Sequence, residues 1–383
     1  MLMTHQVDEK NVSLIKNRDA ALGISIPKCC VVNKESMIPQ PSPKPVAETT
    51  PLATRWISRS EAKIWARTAV RGQWIPLMGA VSGDDKVDEE GIREGVRQAM
   101  KMEIGGLACS SLYEPWSSTH DERRLQLEVF LDEVAGRLPV YATVTDHSIK
   151  ETVRLARHAH ESGAAIVTIN CPYEHAKSER QVIAFFEYVC AAVDGPVALY
   201  NTPHSGLILS PELISRLADI ENVCAIKNAI GDYEHTTRVF ELAGERIVVS
   251  DPAEKHYLRH ILNNGQQVLF STTASQLMQS SVWQPINDYA LAAQAGDVER
   301  AKSLYAEIEP LRLIWEDIYK TLWGDSAGPA EHPIAYTKYW QELMGIPAGL
   351  PRPPLATLSE AKKAVFRTRL KATGLMERLG VSL

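Results

Sequence analysis

Residues 138–170 read LPVYATVTDHSIKETVRLARHAHESGAAIVTIN. The two ends, LPVYATV and AAIVTIN, are short apolar runs. The middle, ETVRLARHAHES, carries apolar residues at the three-to-four spacing of an amphipathic helix. Both runs are too apolar for half-exposed antiparallel strands. They have the composition of parallel strands whose faces are covered by helices. The unit is therefore strand, helix, strand.

The same rhythm extends in both directions. Upstream lie QWIPLMGAV from Gln73 and GGLAC from Gly105. Downstream lie PVALYN from Pro196, VCAIKN from Val223, RIVVSD from Arg246 and QQVLFSTT from Gln266. Segments with helical spacing, such as AEKHYLRHILNN, separate them. Eight such units over about 220 residues predict a closed (β/α)8 TIM barrel, a fold that commonly takes about 250 residues. The alternative, an open doubly wound sheet, usually has fewer strands. No G-x-G-x-x-G follows the first run, so a dinucleotide fold gains no support.

Outside the barrel the pattern changes. Beyond about Gln276 the chain reads as helices, the first stretch interrupted by Gly296 and Pro310. PIAYTKYWQELMG starts another helix with Pro333 in its first turn, and SEAKKAVFRTRLKATGL is a last helix capped by Ser359. Ahead of the barrel, five prolines between Pro39 and Pro51 mark an extended segment with little power to pack. The expected organisation is a poorly ordered N-terminal extension at 1–57, the barrel at 58–280 and a helical region at 281–383.

The chain has 383 residues, 45% hydrophobic and 23% charged, with a net charge of −6. That is soluble globular composition, and without a basic run it argues against nucleic acid as a partner. No apolar stretch approaches the roughly 18 residues of a membrane helix. Six cysteines without a C-x-x-C are neither a disulfide framework nor a zinc or redox motif. The N-terminus lacks a basic-then-apolar leader pattern, so a cytoplasmic enzyme with reduced thiols is expected. His256 and His260 share a helix face, but Tyr257 and Leu258 occupy the interval where H-E-x-x-H requires a glutamate. With no Walker loop either, no metal and no cofactor are expected.

Reacting groups in such a barrel come from the C-terminal ends of the strands. The sixth run carries Lys227 between apolar neighbours. An unpaired ammonium is costly to bury, and desolvation favours the neutral, nucleophilic amine. The competing reading is a lysine that snorkels to water at the strand mouth. The fifth run ends in Tyr200. Strands five and six should be neighbours, so the phenol can serve as acid and base for an amine attacking a carbonyl. The competing reading is a core tyrosine with a satisfied hydroxyl.

Tyr200-Asn201-Thr202-Pro203, with AIKNAIGD placing Lys227 27 residues after the tyrosine, resembles the dihydrodipicolinate synthase and N-acetylneuraminate lyase family over about residues 70–375. HPIAYTKYW and LPRPPL add to the likeness. The resemblance implies a class I aldolase, lyase or synthase on a barrel with C-terminal helices. In that family the lysine forms a Schiff base with a 2-oxo acid, usually pyruvate, and the tyrosine relays protons. Lys227 and Tyr200 are thus the expected catalytic pair.

Other family positions are rewritten. The segment that holds the substrate carboxylate, G-T-T-G-E, is here Cys109-Ser110-Ser111-Leu112-Tyr113-Glu114-Pro115-Trp116. Ser110, Ser111 and Tyr113 are the available hydroxyls, and Leu112 and Trp116 add apolar bulk. T-P-Y-Y becomes Cys171-Pro172-Tyr173-Glu174. The arginine after YN-x-P is missing, and His204 stands nearby. Gly-Asp-Asp after strand seven reads Ser250-Asp251-Pro252. Substrate contacts are accordingly expected from Ser110, Ser111, Tyr113, Tyr173, His204 and Ser250. The expected substrate is a small-molecule carbonyl compound, with a bulky or aromatic partner. C–C bond cleavage or formation, with or without dehydration, is the expected reaction. A non-catalytic, ligand-binding barrel is the alternative. The resemblance also implies a homo-oligomer, a tetramer or dimer, built around the loop carrying Tyr173.

Overall fold

All eight apolar runs become strands: β1 (Gly72–Leu77), β2 (Gly106–Cys109), β3 (Val140–Thr143), β4 (Ile166–Ile169), β5 (Val197–Asn201), β6 (Val223–Asn228), β7 (Val248–Ser250) and β8 (Val268–Phe270). The computed structural model describes residues 56–109, 115–171, 176–323 and 332–383, which all belong to one compact unit. Every strand pairing is parallel, in the order β7-β6-β5-β4-β3-β2-β1-β8, so the predicted (β/α)8 barrel is present.

Alternation along the strands sorts their side chains into two cores. Ile75, Leu107, Val140, Val167, Leu199, Ile226 and Val249 face the helices. Trp74, Ala108, Tyr141, Ile166, Ala198, Ala225, Val248 and Phe270 fill the interior. Gly106 is required beside Trp74, because a Cβ there would come within 2.5 Å of the indole. Helix α1 (Ala62–Ala69) adds Ala62, Trp65 and Ala66 to the interior cluster.

The barrel helices follow their strands: α2 (Glu89–Ala99), α3 (His120–Val134), α4 (Ile149–Glu161), α5 (Glu179–Ala191), α6 (Pro211–Leu217), α7 (Tyr233–Ala243) and α8 (Glu254–Asn264). Asp88, Thr119, Ser148, Ser178, Ser210 and Asp232 each accept a first-turn N–H at the start of a helix. These caps end the strand-exit loops and fix where each begins its return.

The two ends of the strand order, β7 and β8, are joined by side chains. Ser250 Oγ donates to Val268 O and accepts from Phe270 N, both at 3.0 Å. Gln266 Nε2 donates to Val268 O at 2.8 Å and to Asp251 O at 2.9 Å, while its Oε1 accepts from Asp251 N at 3.1 Å. A hydroxyl and an amide thus supply bonds that a strand ladder would otherwise make.

Among the described residues six helices follow: α9 (Ala274–Met278), α10 (Pro285–Gln294), α11 (Val298–Glu307), α12 (Glu309–Trp323), α13 (Pro333–Leu343) and α14 (Glu360–Ala372). Gly296, at φ +80°, separates α10 from α11, Pro333 opens α13, and Ser359 caps α14 by accepting from Lys362 N. Buried Glu254 of α8 accepts from Tyr289 of α10 at 2.7 Å and from Arg312 of α12 at 3.0 Å. Lys338 of α13 donates to Gly79 O, after β1, at 2.8 Å. Arg352 donates to Asp85 O at 3.1 Å, Ser117 O at 3.0 Å and the Glu122 carboxylate at 2.9 Å. The C-terminal region therefore holds the loops after β1 and β2 at the rim where reacting groups are sought.

Candidate active site

Lys227 occupies β6 directly opposite Tyr200 of β5 in the strand register. The register shifts at Val197 and Ala198, one turn of the pleat earlier, and that irregularity sets which residues face each other at the strand ends. Lys227 is buried, with its Nζ 4.6 Å from the centre of the Tyr200 ring. Among the described residues no carboxylate compensates the desolvation, and burial brings the amine down from 10.5 to about 7. The side chain therefore does not snorkel, and much of it is neutral near pH 7.

The amine meets a hydroxyl from the turn that follows β8. Lys227 Nζ donates to Ser271 Oγ at 3.4 Å, and Ser271 Oγ is 2.6 Å from Tyr141 OH. Ser271 is held at φ +60°, in the left-handed region that non-glycine residues seldom occupy. Its N–H donates to Trp74 O at 2.8 Å, which fixes this turn after β8. Burial raises the Tyr141 phenol to about 12 and raises Tyr200 further, with the Thr202 hydroxyl opposing the shift at Tyr200. Both phenols are protonated at neutral pH and can donate before they accept. One amine thus sits among Tyr200, Ser271 and Tyr141, a set suited to attack on a carbonyl and removal of its oxygen as water.

The residues just beyond the pair brace it. Asn201 Nδ2 donates to Asn228 Oδ1 at 2.8 Å, and Asn201 Oδ1 accepts from Leu209 N at 2.9 Å. Asn228 Nδ2 in turn donates to Thr236 Oγ1 at 2.8 Å. The two strand ends and the starts of their return segments are locked in one buried network.

Residues 70–373 match the family described as the dihydrodipicolinate synthetase family. The chain belongs to that family. A 4-hydroxy-tetrahydrodipicolinate synthase of Methanopyrus kandleri is 29% identical over 311 residues, covering 80% of this chain and 97% of the relative. One from Trichlorobacter lovleyi is 29% identical over 287 residues, covering 74% and 92%. Among solved structures, YagE of E. coli K12, described as a prophage protein of the dihydrodipicolinic acid synthase family in complex with pyruvate, superposes with TM-score 0.69 at 24% identity. That match covers 80% of this chain and 99% of YagE and speaks to the fold. Within this family the chain is a class I, lysine Schiff-base lyase, which favours the enzyme over the binding-only alternative.

Set in the dihydrodipicolinate synthetase frame, the other expected site residues divide. Ser110, Ser111, Tyr113 and Tyr173 lie outside the described residues. Ser250 is buried with its hydroxyl bonded to β8 at the seam. Asp251 does not cap α8: its Oδ1 accepts from Ala253 N at 2.8 Å, and the capping position itself is Ala253. His204 stands exposed in the short turn after β5. Burial, and then repulsion from His204, disfavour the charged form of His332, which places a second imidazole near the first. Trp116 is 47% exposed, with its ring 5.1 Å from that of His147 at the mouth of the barrel. Above Tyr200, Thr273 Oγ1 links Tyr319 OH at 2.9 Å and Trp315 Nε1 at 3.0 Å, bringing aromatic side chains of α12 to the same rim.

Sequence reasoning missed Tyr141, Ser271, Asn228 and His332. A phenol within LPVYATV and the hydroxyl run ending QQVLFSTT were visible signals. Which strand faces they share follows from barrel register, not from either run alone.

Proposed function

We propose that Lys227 forms the Schiff base with the keto carbon of a pyruvate-type 2-oxo acid and that Tyr200 is its principal proton donor and acceptor. The neutral Nζ attacks the keto carbon, and the carbonyl oxygen takes a proton to become a hydroxyl. That proton comes from the ammonium nitrogen; Tyr200 then protonates the hydroxyl, which leaves as water while the nitrogen keeps its last hydrogen, and the phenolate remains as the base for the next step. The resulting iminium withdraws electrons from the neighbouring C–H bond. Loss of that proton gives an enamine, whose carbon adds to the carbonyl of a second substrate. Water then releases the product and restores the amine. Run backwards, the same steps cleave the C–C bond.

The observation that carries this reading is the buried Lys227 amine, brought down to about 7 and placed 4.6 Å from the Tyr200 ring. Relatives named 4-hydroxy-tetrahydrodipicolinate synthase and a structural neighbour solved with pyruvate support the 2-oxo acid class. The second substrate is proposed to be bulkier than a small aldehyde and aromatic in character. Trp116 beside His147 and the rim aromatics Trp315 and Tyr319 support that choice. The same reading has the enzyme act in the cytoplasm as a homo-oligomer, with His204 at the substrate's polar end. Ser110, Ser111, Tyr113 and Tyr173 remain the proposed carriers of the carboxylate and relay contacts in the loops after β2 and β4.

Borohydride reduction in the presence of pyruvate tests the core of this reading. Intact mass should rise by the reduced pyruvate adduct, and peptide mapping should place it on Lys227. Lys227→Ala should lose both adduct and turnover. Full activity in that variant would end the Schiff-base assignment.

A further inference from the structure

Asp251, His256 and His260 bring three ligand-type atoms within 4.8 Å of one another, outside the Lys227 site. Asp251 immediately follows β7, and its backbone is fixed by Gln266 at the seam. Its Oδ1 accepts from Ala253 N, and its Oδ2 faces the two histidines of α8. His256 and His260 lie four residues apart on α8, so both rings project from one face of that helix. His256 Nδ1 is 2.8 Å from Asp251 Oδ2, and His260 Nε2 is 3.4 Å from the same oxygen.

The hydrogen bonds within this cluster are incomplete. Asp251 and His260 are fully buried. His260 Nε2 faces Asp251 Oδ2 at 3.4 Å, beyond the usual N–H···O distance, and has no other partner of good geometry among the described residues. Buried polar groups without a partner are rare and call for a specific cause. The His260 ring is also held in place: it stacks on Tyr233 at 4.2 Å, and its other nitrogen, Nδ1, meets the Asn264 side-chain amide at 2.9 Å. A metal-bound imidazole donates its other ring N–H, so binding through Nε2 requires the Asn264 amide to turn its oxygen, in place of Nδ2, toward Nδ1. Arg259 of the same helix lies against the Tyr233 ring at 3.5 Å and reaches Glu234 at 3.5 Å.

We propose that Asp251, His256 and His260 bind a divalent transition-metal ion of the zinc type, tying the end of β7 to α8. Two neutral imidazoles and one carboxylate are a common three-ligand set for such an ion, with water completing a tetrahedron. Ligands at about 2.0–2.1 Å from a tetrahedral ion are about 3.3–3.4 Å apart. The 2.8 and 3.4 Å separations to Oδ2 approach that edge length, and the two imidazole nitrogens lie within 4.8 Å of each other, so side-chain movements on the order of 1 Å complete the site. His256, with 17% of its side chain exposed, is the point of entry and the side on which the water would lie. The ion would satisfy His260 Nε2 and leave Oδ1 on its backbone donor. Ser250 turns to the seam and Asp251 toward α8, so the site reinforces barrel closure and is separate from the amine chemistry. The sequence expectation of no metal came from searching a single helix for H-E-x-x-H, whereas here the third ligand comes from the preceding strand.

The test uses the full chain, stripped with chelator and returned to metal-free buffer. Titration with Zn2+ in a calorimeter should show one ion per chain. Co2+ should give the visible absorption of a tetrahedral N/O site. Zn2+ should also raise Tm, since a ligand bound only by the folded state stabilises it. His256→Gln, at the rim, should match the parent Tm in chelator but show no rise with Zn2+ and no Co2+ spectrum. His260→Gln should behave alike towards metal. No stoichiometric binding by the parent chain would overturn the proposal, and so would binding unchanged in both variants.

Discussion

Asn201 donates to Asn228 across the tips of β5 and β6 at 2.8 Å, one residue beyond the point where Tyr200 faces Lys227. The bond is buried, and each amide also engages the segment that follows its own strand. The amine and the phenol are therefore placed by a network that touches neither of them.

Asn228→Ala should remove one bond from Asn201 and one from Thr236, each of which keeps a second partner, costing about 1–3 kcal/mol of stability. Thermal unfolding should show the loss. If the network also positions Lys227, kcat should fall by a larger factor than KM changes, and the yield of borohydride adduct at fixed time should drop. A variant with lowered Tm and unchanged kcat would show the network to be structural alone.

Lys227 should react as an amine of pKa about 7. The rate of imine trapping should rise with pH through that region and level off well below the ordinary lysine value. The sign of the stability effect is opposite to that of an ion pair. Between about 7 and 10.5 the unfolded chain holds a proton that the folded chain lacks, so this group makes stability rise with pH across that window. Lys227→Met should consequently raise Tm, by more at pH 6 than at pH 10, while abolishing trapping.

Tyr200→Phe should keep the fold and lose about 10²–10⁴-fold in turnover, the usual worth of a general acid–base group. Tyr141→Phe separates a direct role from an indirect one. It leaves Ser271 Oγ in reach of Lys227 but removes the 2.6 Å contact behind it. A smaller loss than in Tyr200→Phe, accompanied by a shifted pH profile for trapping, is expected. Wild-type rates and an unmoved profile would make Tyr141 a core residue only.

Trp116→Ala addresses substrate choice. With the indole half exposed beside His147, its removal should weaken binding of an aromatic carbonyl substrate and spare a small aldehyde. Burying apolar surface is worth about 25 cal/mol per Å², so a contact of about 60 Å² corresponds to roughly tenfold in kcat/KM. Equal losses for both substrates would remove Trp116 from the specificity determinants.

Much of the architecture was legible because it rests on local chemistry. Fully apolar runs such as AAIVTIN can only be strands covered on both faces, and eight of them separated by helical spacing leave few architectures open. Helix starts at Ser359 and Pro333 followed from side-chain oxygens that accept orphan amides and from a ring that needs no donor. Lys227 and Tyr200 stood out because a buried amine needs an explanation and a neighbouring phenol supplies one. The position of Ser250 at a strand end says nothing about which way its hydroxyl turns. The open seam between β7 and β8 takes that hydroxyl.

The sequence by itself determined the strand and helix pattern, the family resemblance and the Lys227–Tyr200 pair, since each depends on residue type and spacing along a single stretch. Tertiary structure alone decided that Ser271 and Tyr141 reach the same amine, that Asn201 and Asn228 lock its strand, and that Asp251 meets two histidines of α8. Those contacts join residues from 5 to 130 positions apart. Whether they form depends on strand register and on which face of each element turns inward, and a shift of one residue in any strand would undo them.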